Sequence, residues 1–131
     1  MKASIETRAD IEKLVTLFYE KVKKDPTIGF IFTEKVQLDW PHHISVITDF
    51  WESILLDNPV YQKNAMEVHY DLNKKIPLEK IHFDTWLQLF FCTLDELFEG
   101  PITEKAKIRA KSIADLMAFK MQQNKENSSP L

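Results

Sequence analysis

Glycine is nearly absent from this 131-residue chain, which has only two. A Gly-x-Gly-x-x-Gly fingerprint or a P-loop needs glycine wherever backbone must close on phosphate, so neither route to a nucleotide is open. Cysteine is scarcer still. The single Cys92 rules out an intrachain disulfide and agrees with a reducing compartment. No apolar run approaches the ~20 residues needed to span a bilayer. The opening stretch MKASIETRAD has no apolar core of the signal-peptide kind, which points to a cytoplasmic location. Charge of one sign is also lacking. A formal net charge of −3 provides neither a nucleic-acid surface nor a polybasic membrane patch.

What is present is bulky and apolar. Hydrophobic residues make up 44% of the chain and include nine Phe, three Trp and three Tyr. That length and composition suit one soluble domain with a real core. Ile11, Leu14, Val15, Phe18 and Val22 recur at helical spacing behind a capping box at Thr7–Asp10, and Pro26 and Gly29 end that helix. FIFTEKV reads as a short connector. Asp39 is the N-cap of a second helix that tolerates Pro41 in its first turn and runs to about Leu56.

Beyond it, a loop and a short helix around Ala65 to Leu72 are expected. Pro77 opens a third long helix with Phe83, Trp86, Leu87, Phe90, Leu94 and Leu97 on one stripe, and Gly100-Pro101 ends it. A fourth, from about Thr103 to Gln122, buries Ala106, Ala110, Ile113, Met117 and Met121. The domain is placed at 1–122, with a polar, disordered tail at 123–131. No stretch alternates with the period of a strand, so the fold class is all-α. Cys92 shares its face with Gln88 and Asp95, which makes it a bystander thiol near the surface.

The dipeptide His42-His43 raises a sharper question. Adjacent helical positions are about 100° apart, so the two imidazoles cannot share a face. His43 falls in line with Ile47, Phe50 and Ile54, whereas His42 falls in line with Val46, Asp49 and Ser53. His43 therefore looks inward and His42 outward. His69 is likewise flanked at helical spacing by Ala65, Met66 and Leu72. An inward histidine is either a hydrogen-bonded core residue or a metal ligand. A four-ligand zinc site is disfavoured, because no His-x-x-x-His or Cys-x-x-Cys pair is present. Tyr19 and Trp86 each bring one polar atom to the apolar interior. Jointly, these four residues suit a metal carried by a flat cofactor. One histidine would bind that metal, and the other polar groups would donate to whatever occupies its open face.

Four segments carry a family resemblance: LVTLFYEKVKKDPTIGFIF, DWPHHISVITDFW, MEVHYDL and HFDTWLQLFFCTLDELFEGP. In order and spacing they resemble the group III truncated haemoglobins of bacteria, over about Asp10 to Ala118. The resemblance implies a globin-like, two-over-two helical sandwich holding one haem b. It makes His69 the proximal ligand of a pentacoordinate iron, His43 the distal histidine, and Tyr19 and Trp86 the distal donors. Phe32 is implied to pack on the porphyrin and Ile47 to form the apolar distal wall. Phe50 and Met66, on the faces that carry the two histidines, join the cofactor contacts. Propionate partners do not transfer, because NKKIPLEKI lies where the family varies in length; Lys74, Lys75 and His82 qualify by charge alone.

The implied function is binding of O₂, NO and CO, for ligand scavenging or NO and peroxide detoxification rather than bulk oxygen transport. An NO dioxygenase or peroxidase of this kind would need a separate reductase, since no flavin or NAD domain is present. The expected state is a monomer or weak dimer. The rival reading is a cofactor-free helical interaction module with an ordinary aromatic core, and a haem absorption band separates the two.

Overall fold

The structure, a computed structural model, describes residues 2–35, 39–60 and 79–127, with side chains at 34, 35 and 120–127 not described. Helix α1 spans Arg8–Lys24 and begins with a reciprocal capping box. The Thr7 side chain accepts from the Asp10 backbone N–H, while the Asp10 carboxylate accepts from the backbone of Thr7. A hydrogen bond from the Glu6 N–H, with those of Thr7, holds the Asp10 carboxyl below its ordinary range. Ile11, Leu14, Val15, Phe18, Tyr19 and Val22 form its buried face. Lys21, Lys23 and Lys24 occupy the last turn, where cations suit the helix dipole.

Behind α1, the Asp25 carboxylate accepts from the N–H groups of Thr27 and Ile28 and reverses the chain. Gly29 then passes so close to α1 that a Cβ there would meet the carbonyl oxygens of Lys23 and Val22 at 2.8 and 3.1 Å. Only glycine fits. The expected connector contains one π-helical turn, Ile31–Lys35.

Helix α2 spans Trp40–Leu55 with Asp39 as N-cap, its carboxylate accepting from the His42 N–H. Helix α3 spans Lys80–Leu97. It begins three residues after the expected Pro77. The Glu79 N–H that would otherwise be orphaned donates to His82 Nδ1 at 2.9 Å, which defines that start locally. Pro77 itself, like the expected short helix at Ala65–Leu72, lies outside the described residues.

Helix α4 spans Pro101–Asn127. It begins two residues before the expected Thr103, with Pro101 at a position whose missing N–H costs nothing. It also continues five residues past Gln122, into the expected tail. Gln, Lys and Glu are good helix formers, and no Gly or Pro interrupts the run before Pro130. Gly100, at φ +113°, makes the corner between α3 and α4.

Helix α1 packs on α2 and α3, and α3 on α4. The N-terminal segment lies across the α3–α4 corner: the Glu99 N–H donates to the Ala3 carbonyl at 3.0 Å, and Ile5 is buried. Among the described residues there is no strand, and no helix is long and apolar enough to cross a membrane. The outer end of the α1–α2 contact is polar. Arg8 Nη1 donates to Asp49 Oδ1 at 2.7 Å and to Glu52 Oε1 at 2.9 Å, and Asn58 Nδ2 donates to the other Glu52 oxygen. This satisfies a carboxylate that is otherwise buried.

Candidate functional site

Three elements bring their aromatic residues together at the other end of α1 and α2. Tyr19 comes from α1, Phe32 from the π-helical turn, and Trp40 and His43 from the first turn of α2. The Tyr19 and His43 rings meet edge-on, with centroids 5.0 Å apart. Trp40 lies 5.5 Å from Tyr19, 6.4 Å from Phe32 and 5.8 Å from His43. Phe32 closes the group at 6.0 Å from Tyr19. Lys23 Nζ sits over the Trp40 ring, 4.4 Å from its centroid.

Helical phase decides the histidines as expected from sequence. The Asp39 cap fixes the register, with the His43 N–H donating to the Asp39 carbonyl at 2.8 Å. His43 is then half-buried against Tyr19 and Trp40, and His42 is exposed. Tyr19 is buried, and desolvation pushes its phenol well above the ordinary value. At physiological pH it is therefore a neutral O–H, able to donate.

Trp86 joins from α3 by a different route. It packs edge-on against Phe18 at 5.8 Å and stacks parallel to Phe90 at 5.7 Å, and Phe18 in turn touches Tyr19 at 4.9 Å. Tyr19, His43 and Phe32 thus make one cluster, while Trp86 reaches it through Phe18. Ile47 and Phe50 lie along the His43 line of α2 and are half-buried, as is Ile54. The fully buried face of α2 is the neighbouring one: Thr48, Trp51, Glu52 and Leu55. So α2 has two apolar flanks. One is buried in the core, and the other, in line with His43, packs against the core while half-exposed. His69 and Met66 lie outside the described residues. His82, a candidate by charge, spends its Nδ1 on the start of α3, and Cys92 is exposed as expected.

Sequence reading missed Trp40 and Lys23. Trp40 is three residues before His43, and Lys23 is four residues after Tyr19. Both offsets place a residue on the same helical face as a candidate, which was the available signal.

No protein-family model matches the sequence. The group 3 truncated haemoglobin of Campylobacter jejuni is 32% identical over 117 residues, covering 87% of this chain and 90% of that protein. A group 1 truncated haemoglobin of Tetrahymena pyriformis is 32% identical over 107 residues, covering 79% of this chain and 82% of that protein. Among solved structures, the crystal structure of the group III truncated haemoglobin from Campylobacter jejuni is similar with a TM-score of 0.80. It is 30% identical and covers 92% of this chain and 95% of its own.

Proposed function

The chain belongs to the group III truncated haemoglobins, and from that membership we propose that it holds one haem b and binds diatomic gases there. The observation that carries this reading is the pairing of a buried Tyr19, a neutral O–H at physiological pH, with His43 beside a half-buried apolar flank of α2. A flat macrocycle needs an apolar surface to lie on, and Ile47, Phe50 and Phe32 offer one. A ligand bound at a metal needs donors, which Tyr19 and Trp86 carry. These residues fit the group. In this reading His69 is the residue that would hold the iron, supported by the motif MEVHYDL, in which Met66 stands three positions before it.

When bound, the haem would supply an iron able to take diatomic gases, of which O₂ would draw negative charge onto itself. The residues of the chain do the rest. The Tyr19 O–H and the Trp86 indole N–H would donate to a charged ligand there, and in surroundings shielded from water each such hydrogen bond is stronger than in solvent. His43, half-buried at the edge of the cluster, narrows the way in. A ligand held by several donors leaves slowly, which suits scavenging or detoxification of NO or peroxide better than bulk oxygen transport. Turnover would draw electrons from a separate reductase, and the reading places the protein in the cytoplasm.

The deciding experiment is an absorption spectrum of the purified protein in its ferric, ferrous and CO-bound forms. A haem band that shifts on reduction and again with CO is expected. Absence of that band after reconstitution with haemin overturns the reading in favour of a cofactor-free helical module. Loss of haem in His69→Ala identifies the axial ligand, and unchanged haem retention in that variant refutes it. Consumption of NO in the presence of a reductase separates an enzyme from a binding protein.

A further inference from the structure

Lys23 and Trp40 belong to no role assigned so far, yet they touch the site at its most adjustable point. The Lys23 backbone is held firmly. It lies in the last turn of α1, and Gly29 packs on its carbonyl so closely that no Cβ fits between. From that fixed origin the side chain is 29% exposed and lays its ammonium over the Trp40 ring at 4.4 Å, well inside the ~6 Å reach of a cation–π contact. Trp40 begins α2, and its ring meets Tyr19, Phe32 and His43 at once. The His43 ring therefore stands between two edge-on neighbours, Tyr19 at 5.0 Å and 73° and Trp40 at 5.8 Å and 87°. To swing outward it must leave both.

We propose that Lys23 and Trp40 form a latch that holds His43 against Tyr19, so that their contact controls ligand passage into the site. The latch rests on the reading of Tyr19 and His43 as distal residues. Lys23 and Trp40 act through His43 and are positioning residues; neither needs to touch the ligand. Glu20 adds a competitor. Its Oε1 lies 3.5 Å from Lys23 Nζ, one turn away on the solvent side, and draws on the same ammonium. An exposed i,i+3 ion pair of this kind is weak, so it moderates the latch without replacing it.

The charge, rather than the bulk, is what a latch requires, and the variants are chosen to separate the two. Lys23→Met keeps the apolar stem and removes the cation. Lys23→Arg keeps a cation that stacks on indole. Trp40→Leu removes the π face. In CO association after flash photolysis, Lys23→Met and Trp40→Leu should each speed recombination by about two- to fivefold, the scale of one partly exposed cation–π contact. The double variant should match Trp40→Leu, because without the indole the Lys23 ammonium has no ring left to hold. Lys23→Arg should match the parent, and Glu20→Gln should slow association slightly.

A second readout does not depend on ligand kinetics. The His43 Cε1–H proton resonance of the CO-bound protein feels the ring currents of Tyr19 and Trp40. It should move in Lys23→Met and return in Lys23→Arg. Lys23→Arg behaving like Lys23→Met, fully additive effects of the two single variants, or an unmoved His43 resonance would each overturn the latch. If the purified protein takes up no haem, the functional reading falls on its spectrum. The same resonance, measured on the protein as purified, then still decides whether the latch holds His43.

Discussion

Phe18 and Tyr19 are neighbours in sequence, but their rings enter two unlike aromatic groups. Phe18 stands edge-on to Trp86 and Phe90, and Phe90 is stacked between Trp51 at 4.8 Å and Trp86 at 5.7 Å. Of these, Phe18, Trp51 and Phe90 are all buried. Tyr19 enters a group whose other members, Phe32, Trp40 and His43, are each half-buried and meet edge-on or tilted. The first group maximises apolar area removed from water and aligned ring faces, which is how a core gains stability. The second sets a phenol beside an imidazole, with an ammonium over the adjoining Trp40 ring, and is less completely enclosed. Chemistry at a site needs polar atoms and some freedom to move, and both lessen what packing contributes. The division of labour follows from one residue's step along α1.

Truncating a ring in each group should produce the largest difference between them. Phe90→Ala should destabilise the protein by about 3–5 kcal/mol, the cost of an aromatic removed from a packed core. Phe32→Ala, at a half-buried position, should cost only about 1 kcal/mol. Urea unfolding of the two variants measures both, and equal losses would erase the distinction between the groups.

Ligand release tests the polar group next. Tyr19→Phe removes one O–H donor with almost no change in volume. O₂ dissociation should quicken by roughly threefold to several tens-fold, the range for a hydrogen bond to a charged acceptor. Trp86→Phe should act in the same direction. Unchanged rates in both variants would mean that another group holds the ligand.

Titration tests the burial of Tyr19 directly. Its folded-state value is raised above the ordinary 10.0 by desolvation. The folded state therefore keeps a proton that the unfolded chain gives up above about pH 10. The resulting stability is complete below that pH and is lost as pH rises further. In an ultraviolet titration, Tyr19 should ionise late and together with unfolding. That step should vanish in Tyr19→Phe. An ordinary titration of Tyr19 in the folded protein would contradict the burial.

The smallest effect belongs to His42. Its exposed imidazole should be replaceable by Ala within ~0.5 kcal/mol of stability and without change in ligand kinetics. If His42→Ala alters CO recombination while His43→Ala does not, the register of α2 is other than described.

Much of this was legible in the sequence because it is local. The capping box at Thr7–Asp10, the Asp39 cap, the buried stripe of α1 and the opposed histidines all follow from offsets within two turns of one helix, and short-range geometry is nearly invariant. The ends of α3 and α4 were less legible. Pro77 is a permitted helix start, but a backbone N–H finding His82 decided the real one. The polar stretch after Gln122 reads equally as tail or as exposed helix.

Which flank of α2 would be buried required the tertiary structure. Ile47, Phe50 and Ile54 make as good an apolar line as Thr48, Trp51 and Leu55, and helical periodicity cannot say which of two adjacent flanks meets α1 and α3. The buried Glu52 was equally hidden, since the Arg8 that satisfies it lies 44 positions away in sequence. Trp40 and Lys23 became a pair only because the chain reverses at Asp25, packs at Gly29 against the end of α1, and sets the start of α2 alongside it. The helices, and the direction in which each candidate side chain leaves its own axis, depend on neighbours a few residues away and so can be read along the chain. Which of those directions converge depends on how whole helices pack, and packing is chosen by the summed fit of many side chains rather than by any one of them.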